Sequence, residues 1–291
     1  MKRIILYLSC ILLAVSCGDS NRQYVRKAVS IMDKQGLFAE GPEWQAARKE
    51  ALSAEPASLE QAQEIVRKAA SVAGGKHSAL KLSGAVKEDA TSEWPAPAVT
   101  IAEGGIPVVK LPPFSGNNDE GVKYANAVLT AVPDGIPGVI IDLRGNTGGN
   151  MYPMIAAVHR FLPDDDQMLR FRTRKFSQWI PLSYAVKVAG VEQRSRIECP
   201  VAILTDDRTA SSGEATLICF RGLDYVRVFG GPTAGYASAN QPFALPGGDQ
   251  LILTTGCDVA RTGEVFCDDP IAPDVVTDSP LEDALEWIGK R

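Results

Sequence analysis

The strongest constraint on the fold is a pattern that occurs three times. A short strand-like run, continuously apolar in the first two cases, ends in a turn built of small and polar residues. Val139-Ile140-Ile141 leads into Asp142-Leu143-Arg144-Gly145-Asn146-Thr147-Gly148-Gly149-Asn150. Val201-Ala202-Ile203-Leu204 leads into Asp207-Arg208-Thr209-Ala210-Ser211-Ser212-Gly213-Glu214. Tyr225–Phe229 ends in Gly230-Gly231-Pro232-Thr233-Ala234-Gly235-Tyr236-Ala237. A strand that is apolar at every position is covered on both faces, as in a parallel sheet between helices. Helix-like runs follow the first two turns, from Met151 and Ala215. Sites in such sheets gather beyond the carboxyl ends of the strands. The three turns are therefore predicted to meet at one sheet edge.

From about residue 98 onward the pattern alternates between strand and helix. Ala98–Ala102 and Ile106–Lys110 read as a strand pair around Gly104-Gly105. Asn117–Ala131 reads as a helix capped by Asn117 or Asn118. Phe243–Leu245 and Asp249–Thr255 suggest a hairpin, and Ser279–Lys290 a last helix. The N-terminal part is helical in pattern over Arg22–Leu37, Pro42–Leu52 and Ser58–Val72. The last of these opens on Ser58-x-x-Gln61, a capping-box spacing, and stops at Gly74-Gly75. Val86–Pro97 is polar and reads as a linker. The predicted division is a leader over 1–16, a tether over 17–23, a small helical domain over 24–85, a linker over 86–97 and an α/β core over 98–291.

Net charge of −5 leaves no basic footprint for nucleic acid. Met1-Lys2-Arg3 precedes an apolar run, Ile4 to Val15, that is too short to span a bilayer comfortably. It ends at Ala14-Val15-Ser16-Cys17, similar to a bacterial lipobox. On that reading Cys17 carries the lipid and the protein sits in the cell envelope, anchored to a membrane and facing the periplasm or the exterior. An ordinary secretory signal is the other reading, and both place the chain outside the cytoplasm. An exported compartment permits disulfides. Cys257 and Cys267 flank a hairpin-like stretch and are the first expected pair. Cys199 and Cys219 pair or stay buried as small apolar residues. No Cys-x-x-Cys or His-Glu-x-x-His spacing occurs and the chain has 2 histidines, so neither a metal nor another cofactor is expected.

The chemistry-bearing residues lie in the turns. A serine between strand and helix meets the positive helix N-terminus, where developing negative charge is stabilised. Ser211-x-x-Glu214 equally fits a plain capping box. The turn at 145–149 has three uses open to it: a phosphate cradle, half of an oxyanion hole, or a tight turn needing positive φ. The spacings of dinucleotide and P-loop motifs are absent, which disfavours the first. His77 follows the Gly74-Gly75 stop, as a cleft-edge residue or an exposed loop histidine. His159 lies in an apolar helical run and reads as packing.

Together, Asp-Leu-Arg-Gly-Asn-x-Gly-Gly, then Thr-Ala-Ser-x-x-Glu, then Ile271-Ala272-Pro273-Asp274, resemble the C-terminal processing (tail-specific) serine protease family. The resemblance covers about 100–291. It implies a Clp-protease/crotonase-like α/β core, a polypeptide substrate and Ser211 as nucleophile. It implies Ser212 as one oxyanion donor and Gly148 or Gly149 as the other. Many members use a lysine 25 residues past the serine; here Tyr236 stands there, so that dyad is absent. Another branch, which includes tricorn protease, uses an early histidine and a late glutamate. His77 in Gly75-Lys76-His77-Ser78 and Glu264 are similar to those residues. Lys76 stands where that branch has a serine, leaving Ser78 and Ser238 as candidates for a bridging hydroxyl. The interval from Leu80 to Gly105 is too short for the PDZ domain that many members carry. Two function classes follow: a lipid-anchored serine endopeptidase, or a non-catalytic lipoprotein that binds an apolar ligand or peptide on the same fold. A crotonase-type acyl-CoA enzyme suits the fold but not the exported location.

Overall fold

The computed structural model describes the backbone of residues 2–84 and 94–291, and side chains from Asp19 onward within those ranges. The side chain of Cys17 and most of the expected linker lie outside the described residues. The chain forms two compact units, residues 1–90 with 239–256 and residues 91–238 with 257–291.

The first unit begins with three helices: α1 (Lys2–Gln35), α2 (Gly41–Ser53) and α3 (Leu59–Gly74). Tyr24, Ala28 and Met32 of α1 pack with Trp44 of α2 and with Ala62, Val66, Ala69 and Ala73 of α3. The Ser58 hydroxyl caps α3 by accepting from Gln61 N at 3.2 Å. Residues 18–23, expected as a flexible tether, instead continue α1. Asn21 Nδ2 donates to the Pro56 carbonyl and Arg22 pairs with Glu55, so this turn is fixed by side chains. α3 stops at Gly75, whose φ of 72° lies in the left-handed region, and β1 (Ala79–Lys81) follows.

The second unit opens with β2 (Ala98–Ile101), β3 (Pro107–Lys110), α4 (Asn118–Ala131), β4 (Val139–Asp142) and α5 (Met151–Val158). It continues with β5 (Leu169–Thr173), β6 (Ser177–Ile180), α6 (Leu182–Ala189), β7 (Val201–Thr205), α7 (Ser212–Cys219) and β8 (Val226–Gly230). The chain then runs through β9 (Ser238–Ala244) and β10 (Gln250–Val259), and closes with β11 (Val265–Phe266), β12 (Val275–Val276) and α8 (Pro280–Gly289). The main sheet has the order β12-β8-β7-β4-β3-β2, parallel except for the edge strand β2. Alternate strand residues face opposite layers, which is why no position in β4 or β7 is polar until the strand ends. Ile141 and Ile203 face the layer that holds Val128 of α4, Met154 of α5 and Leu217 of α7. Ile140, Ala202 and Leu204 face Ala284 and Ile288 of α8. The disulfide Cys257–Cys267 spans β10 and the end of β11, and Cys199 and Cys219 are free thiols.

Residues 239–256 correct the expected undivided core over 98–291: they cluster with the helical unit. Leu245, Leu251 and Leu253 fill the same apolar cluster as Tyr24 and Trp44. Asp249, at the turn between β9 and β10, accepts from Tyr24 Oη at 2.7 Å, Gln63 Nε2 at 2.8 Å and Ser83 N at 2.8 Å. One carboxylate thus ties the hairpin to two helices, a long-range arrangement that local pattern does not reveal.

Candidate active site

The turns after β4, β7 and β8 meet at the carboxyl edge of the parallel sheet. Gly145 N donates to Asp206 Oδ1 at 2.9 Å, Ala210 N to the Asn146 carbonyl at 2.9 Å, and Thr209 Oγ1 to the Leu143 carbonyl at 3.0 Å. These bonds stitch the glycine turn to the serine turn. The third turn joins through Ala234 N, which donates to the Thr209 carbonyl at 2.9 Å. The Asp142-x-Arg144 part of the motif is local bracing: Arg144 makes a bidentate pair with Asp142, and its N–H donates to the same carboxylate.

Ser211 sits immediately before α7 with φ 52° and ψ −116°. It is the one non-glycine residue with positive φ among the described residues. Such a conformation costs on the order of 1–3 kcal/mol and persists only where its surroundings enforce it. The enforcing group is Glu214. Its buried carboxylate accepts from Ser211 N at 2.8 Å, Gly235 N at 2.9 Å, Tyr236 N at 2.7 Å and the Thr233 hydroxyl. Burial pushes the Glu214 carboxyl up, and these donors act against that rise. The sequence spacing identified Glu214 as a cap; its bonds to 233–236 carry no local signal. Asp258 is buried nearby and is pushed up to about 7, by burial first and by the Glu214 charge second.

Gly148 presses directly on the serine, and Gly149 on the backbone of Phe114. A Cβ at Gly148 would lie 2.8 Å from Ser211 Cβ and 2.9 Å from Ser212 N. A Cβ at Gly149 would lie 1.9 Å from the Phe114 carbonyl oxygen. Both residues have positive φ, so only glycine fits. The sequence left open which glycine offers a free N–H. Gly148 N is already bonded to Asn146 Oδ1 at 2.9 Å. Among the described residues, Gly149 N and Ser212 N have no hydrogen-bond partner. Ser212 Oγ, by contrast, is spent on the Gly149 carbonyl at 2.5 Å. Ser211, Ser212, Gly148 and Gly149 are therefore brought together, with two backbone donors left over beside the Ser211 turn.

Glu264 is not brought to them. Its carboxylate pairs with Arg221 at 3.3 Å and accepts from Thr262 Oγ1 at 3.0 Å. Arg221 follows the C-terminal end of α7, whereas Ser211 precedes its N-terminus. Helical rise over the eight residues of α7 separates the two ends by about 12 Å. The expected glutamate is thus an ion-pair residue on the exposed side of a hairpin. Tyr236, where the family's dyad lysine stands, contributes its backbone N–H to Glu214. His159 is a packing residue: its Nδ1 faces the Ala156 carbonyl at 2.7 Å and its Nε2 accepts from Arg194 N at 2.8 Å.

His77 belongs to the first unit, in the loop between α3 and β1. Asn240 Nδ2 donates to its carbonyl at 3.1 Å. Next to it, Ser78 Oγ accepts from Thr254 N at 3.0 Å, and Thr254 Oγ1 donates to Asn240 Oδ1 at 2.7 Å. The Ser78 hydroxyl is thus committed to holding the loop against β10. Burial, with the Lys76 charge second, lowers His77 to about 4, so its imidazole is neutral near pH 7. Asn240 and Thr254 had no sequence signal, because their partners lie more than 160 residues away.

A family model for peptidase family S41 matches residues 105–277, the stretch that carries all three turns. The chain is 33% identical over 278 residues to a nisin-resistance protein from Lactococcus lactis subsp. lactis, covering 92% of this chain and 87% of that protein. A solved lipoprotein from Streptococcus agalactiae superposes with a TM-score of 0.83 at 30% identity, covering 94% of this chain and 97% of that one. The photosystem II D1 C-terminal processing protease shares the fold, with a TM-score of 0.65 at 14% identity over 93% of this chain and 97% of that one. The stitched serine and glycine turns and this family match lead to one assignment: the chain belongs to peptidase family S41, the C-terminal processing protease family.

Proposed function

We propose that this protein is an exported serine endopeptidase, anchored to a membrane through lipidated Cys17, that hydrolyses peptide bonds in polypeptides. The observation that carries this reading is the Ser211 turn: a strained serine at a helix N-terminus, with the unspent N–H groups of Gly149 and Ser212 beside it. Ser211 Oγ attacks the carbonyl carbon while its proton passes to the neutral imidazole of His77. The oxyanion of the tetrahedral intermediate takes the two N–H groups, in a place where donors are oriented in advance. The C–N bond breaks as His77 returns the proton to the amine, and water then hydrolyses the acyl-enzyme by the same route. Asn240 positions the His77 loop; Glu264 has no part in the proton path.

The Lactococcus relative is named for resistance to nisin, so nisin is the first polypeptide to test, beside a mixed peptide library. Cleavage is read by mass spectrometry for the parent, Ser211→Ala and His77→Ala proteins. Cleavage by the parent alone is the expected result. Its rate should fall on the acid side near pH 4 rather than near 6.5, because the base acts only when neutral. Tyr236 in place of the dyad lysine favours the second reading, a lipoprotein that binds a peptide or apolar ligand without cleaving it. Tight binding of nisin or a library peptide with no cleavage by any of the three proteins would establish that reading instead.

A further inference from the structure

A small aromatic cavity lies along the same sheet edge as Ser211. It has a volume of about 230 Å³ and is lined by Trp94, Pro95, Ala96, Phe114, Lys123 and Tyr124, among others. Its place follows from the register. β2 runs antiparallel to β3, with Ala98 paired to Lys110, and Lys110 is paired to Asp142 at the carboxyl end of β4. Residues 94–96 thus precede β2 at the carboxyl edge of the parallel strands. Phe114 is zipped to the glycine turn: Phe114 N donates to the Gly148 carbonyl at 3.1 Å, and Asn150 N donates to the Phe114 carbonyl at 2.6 Å. The backbone of one cavity wall is therefore bonded to the residue that touches Ser211.

The chemistry of the walls selects an apolar occupant. Trp94 meets Phe114 edge-on at 6.2 Å, and Phe114 meets Tyr124 at 5.0 Å, giving three aromatic surfaces. Two of the polar groups on the lining are already bonded inside the protein. Tyr124 Oη donates to the Pro112 carbonyl at 2.7 Å, and the Glu120 carboxylate accepts from Asn117 N at 2.7 Å. Glu120 and the exposed Lys123 line the cavity with opposite charges, so neither sign of occupant is favoured by charge. Trp94 is 39% exposed, a large aromatic face left to water. The volume lies below the roughly 300–1,000 Å³ of drug-sized ligand sites, which suits one side chain rather than a whole molecule.

Resting on the peptidase reading, we propose that this cavity is a substrate subsite that takes one large aromatic or branched aliphatic side chain of the polypeptide. β7, which leads to Ser211, is separated from β3 by β4. Two strand spacings are about 10 Å, so an extended peptide at about 3.3 Å per residue reaches the cavity roughly three to four residues from the scissile bond.

The test uses peptides identical except for phenylalanine or glycine, scanned at each position out to five residues on either side of the cleaved bond. In the parent protein, one position three to four residues away should favour phenylalanine by about ten- to hundredfold in kcat/KM, the effect of burying one such side chain. Trp94→Ala, which removes a wall, and Ala96→Trp, which fills the space from an exposed position, should bring that ratio close to one. Both should leave the glycine peptide's rate unchanged. An unchanged ratio in both variants, or no preferred position in a parent that labels with a fluorophosphonate, overturns the subsite alone. A parent that neither labels nor cleaves overturns the peptidase reading, and the subsite with it.

Discussion

The two ends of α7 are chemical opposites. At its N-terminus the backbone is strained at Ser211, the Gly149 and Ser212 N–H groups have no partner among the described residues, and Gly148 is packed so closely on Ser211 that no side chain fits there. At its C-terminus opposite charges are matched: Arg221 is paired with Glu264 and lies 3.7 Å from Asp274. Spacing marked Glu214 as a helix cap, and the family resemblance put Glu264 in the catalytic set. The folded chain separates them by burial and partners. Glu214 is fully buried with four donors from two turns; Glu264 is exposed and held by Thr262 and Arg221. Reactive geometry lies where the fold leaves donors unsatisfied, not where charges are already matched.

The comparison breaks most sharply at Gly148. A Gly148→Ala side chain would occupy the space next to Ser211 Cβ and Ser212 N. Peptide hydrolysis should fall by about 10²- to 10³-fold, the scale of losing an oxyanion donor, with helix content by circular dichroism retained. A variant with parental activity would remove the glycine turn from the mechanism.

Asp258 of β10 sharpens the contrast, since it is coupled by charge to Glu214 near one end of α7 and to Cys219 at the other. Its folded pKa of about 7 is raised above the ordinary 3.8. Such a group stabilises the fold while protonated, so its contribution is present in full below pH 3.8 and declines as pH rises toward 7. Above that, the folded state carries a buried carboxylate beside Glu214, a penalty on the order of 2–4 kcal/mol. Asp258→Asn should therefore raise the melting temperature at pH 8 and leave it nearly unchanged at pH 4. An equal shift at both pH values would contradict the assignment.

Glu214→Gln tests the clamp itself. An amide cannot accept from all four donors and brings an N–H₂ against backbone N–H groups, so activity should fall roughly 10- to 100-fold. KM should move less than kcat, because the lesion lies in the catalytic turn. Glu264→Gln should do least. An exposed pair contributes about 0–1 kcal/mol, and kcat/KM should stay within about twofold. A large loss there would reverse the ranking of the two ends.

Much of the core was legible because its signals are local. Val139-Ile140-Ile141 and Val201-Ala202-Ile203-Leu204 declare two-sided burial, and the turns that follow hold residues only a tight backbone needs. The resemblance then named Ser211, Ser212 and the glycine pair. What was missed depends on distance along the chain. Residues 239–256 read as part of the core because nothing local says that Leu245 and Leu253 pack beside Trp44. The strand β6 and the helix α6 were not read, since 177–189 mixes exposed aromatics with a short apolar face. Glu264 matched a position in the family pattern, but Arg221, 43 residues earlier, holds it elsewhere.

The central claim is that Ser211 is a reactive nucleophile. Treating the folded parent protein with a fluorophosphonate and mapping the adduct by peptide mass spectrometry tests it most directly. The account predicts a single adduct on Ser211, absent in Ser211→Ala and strongly slowed in Gly148→Ala. A folded protein that takes no label, or takes it equally with alanine at position 211, would contradict it.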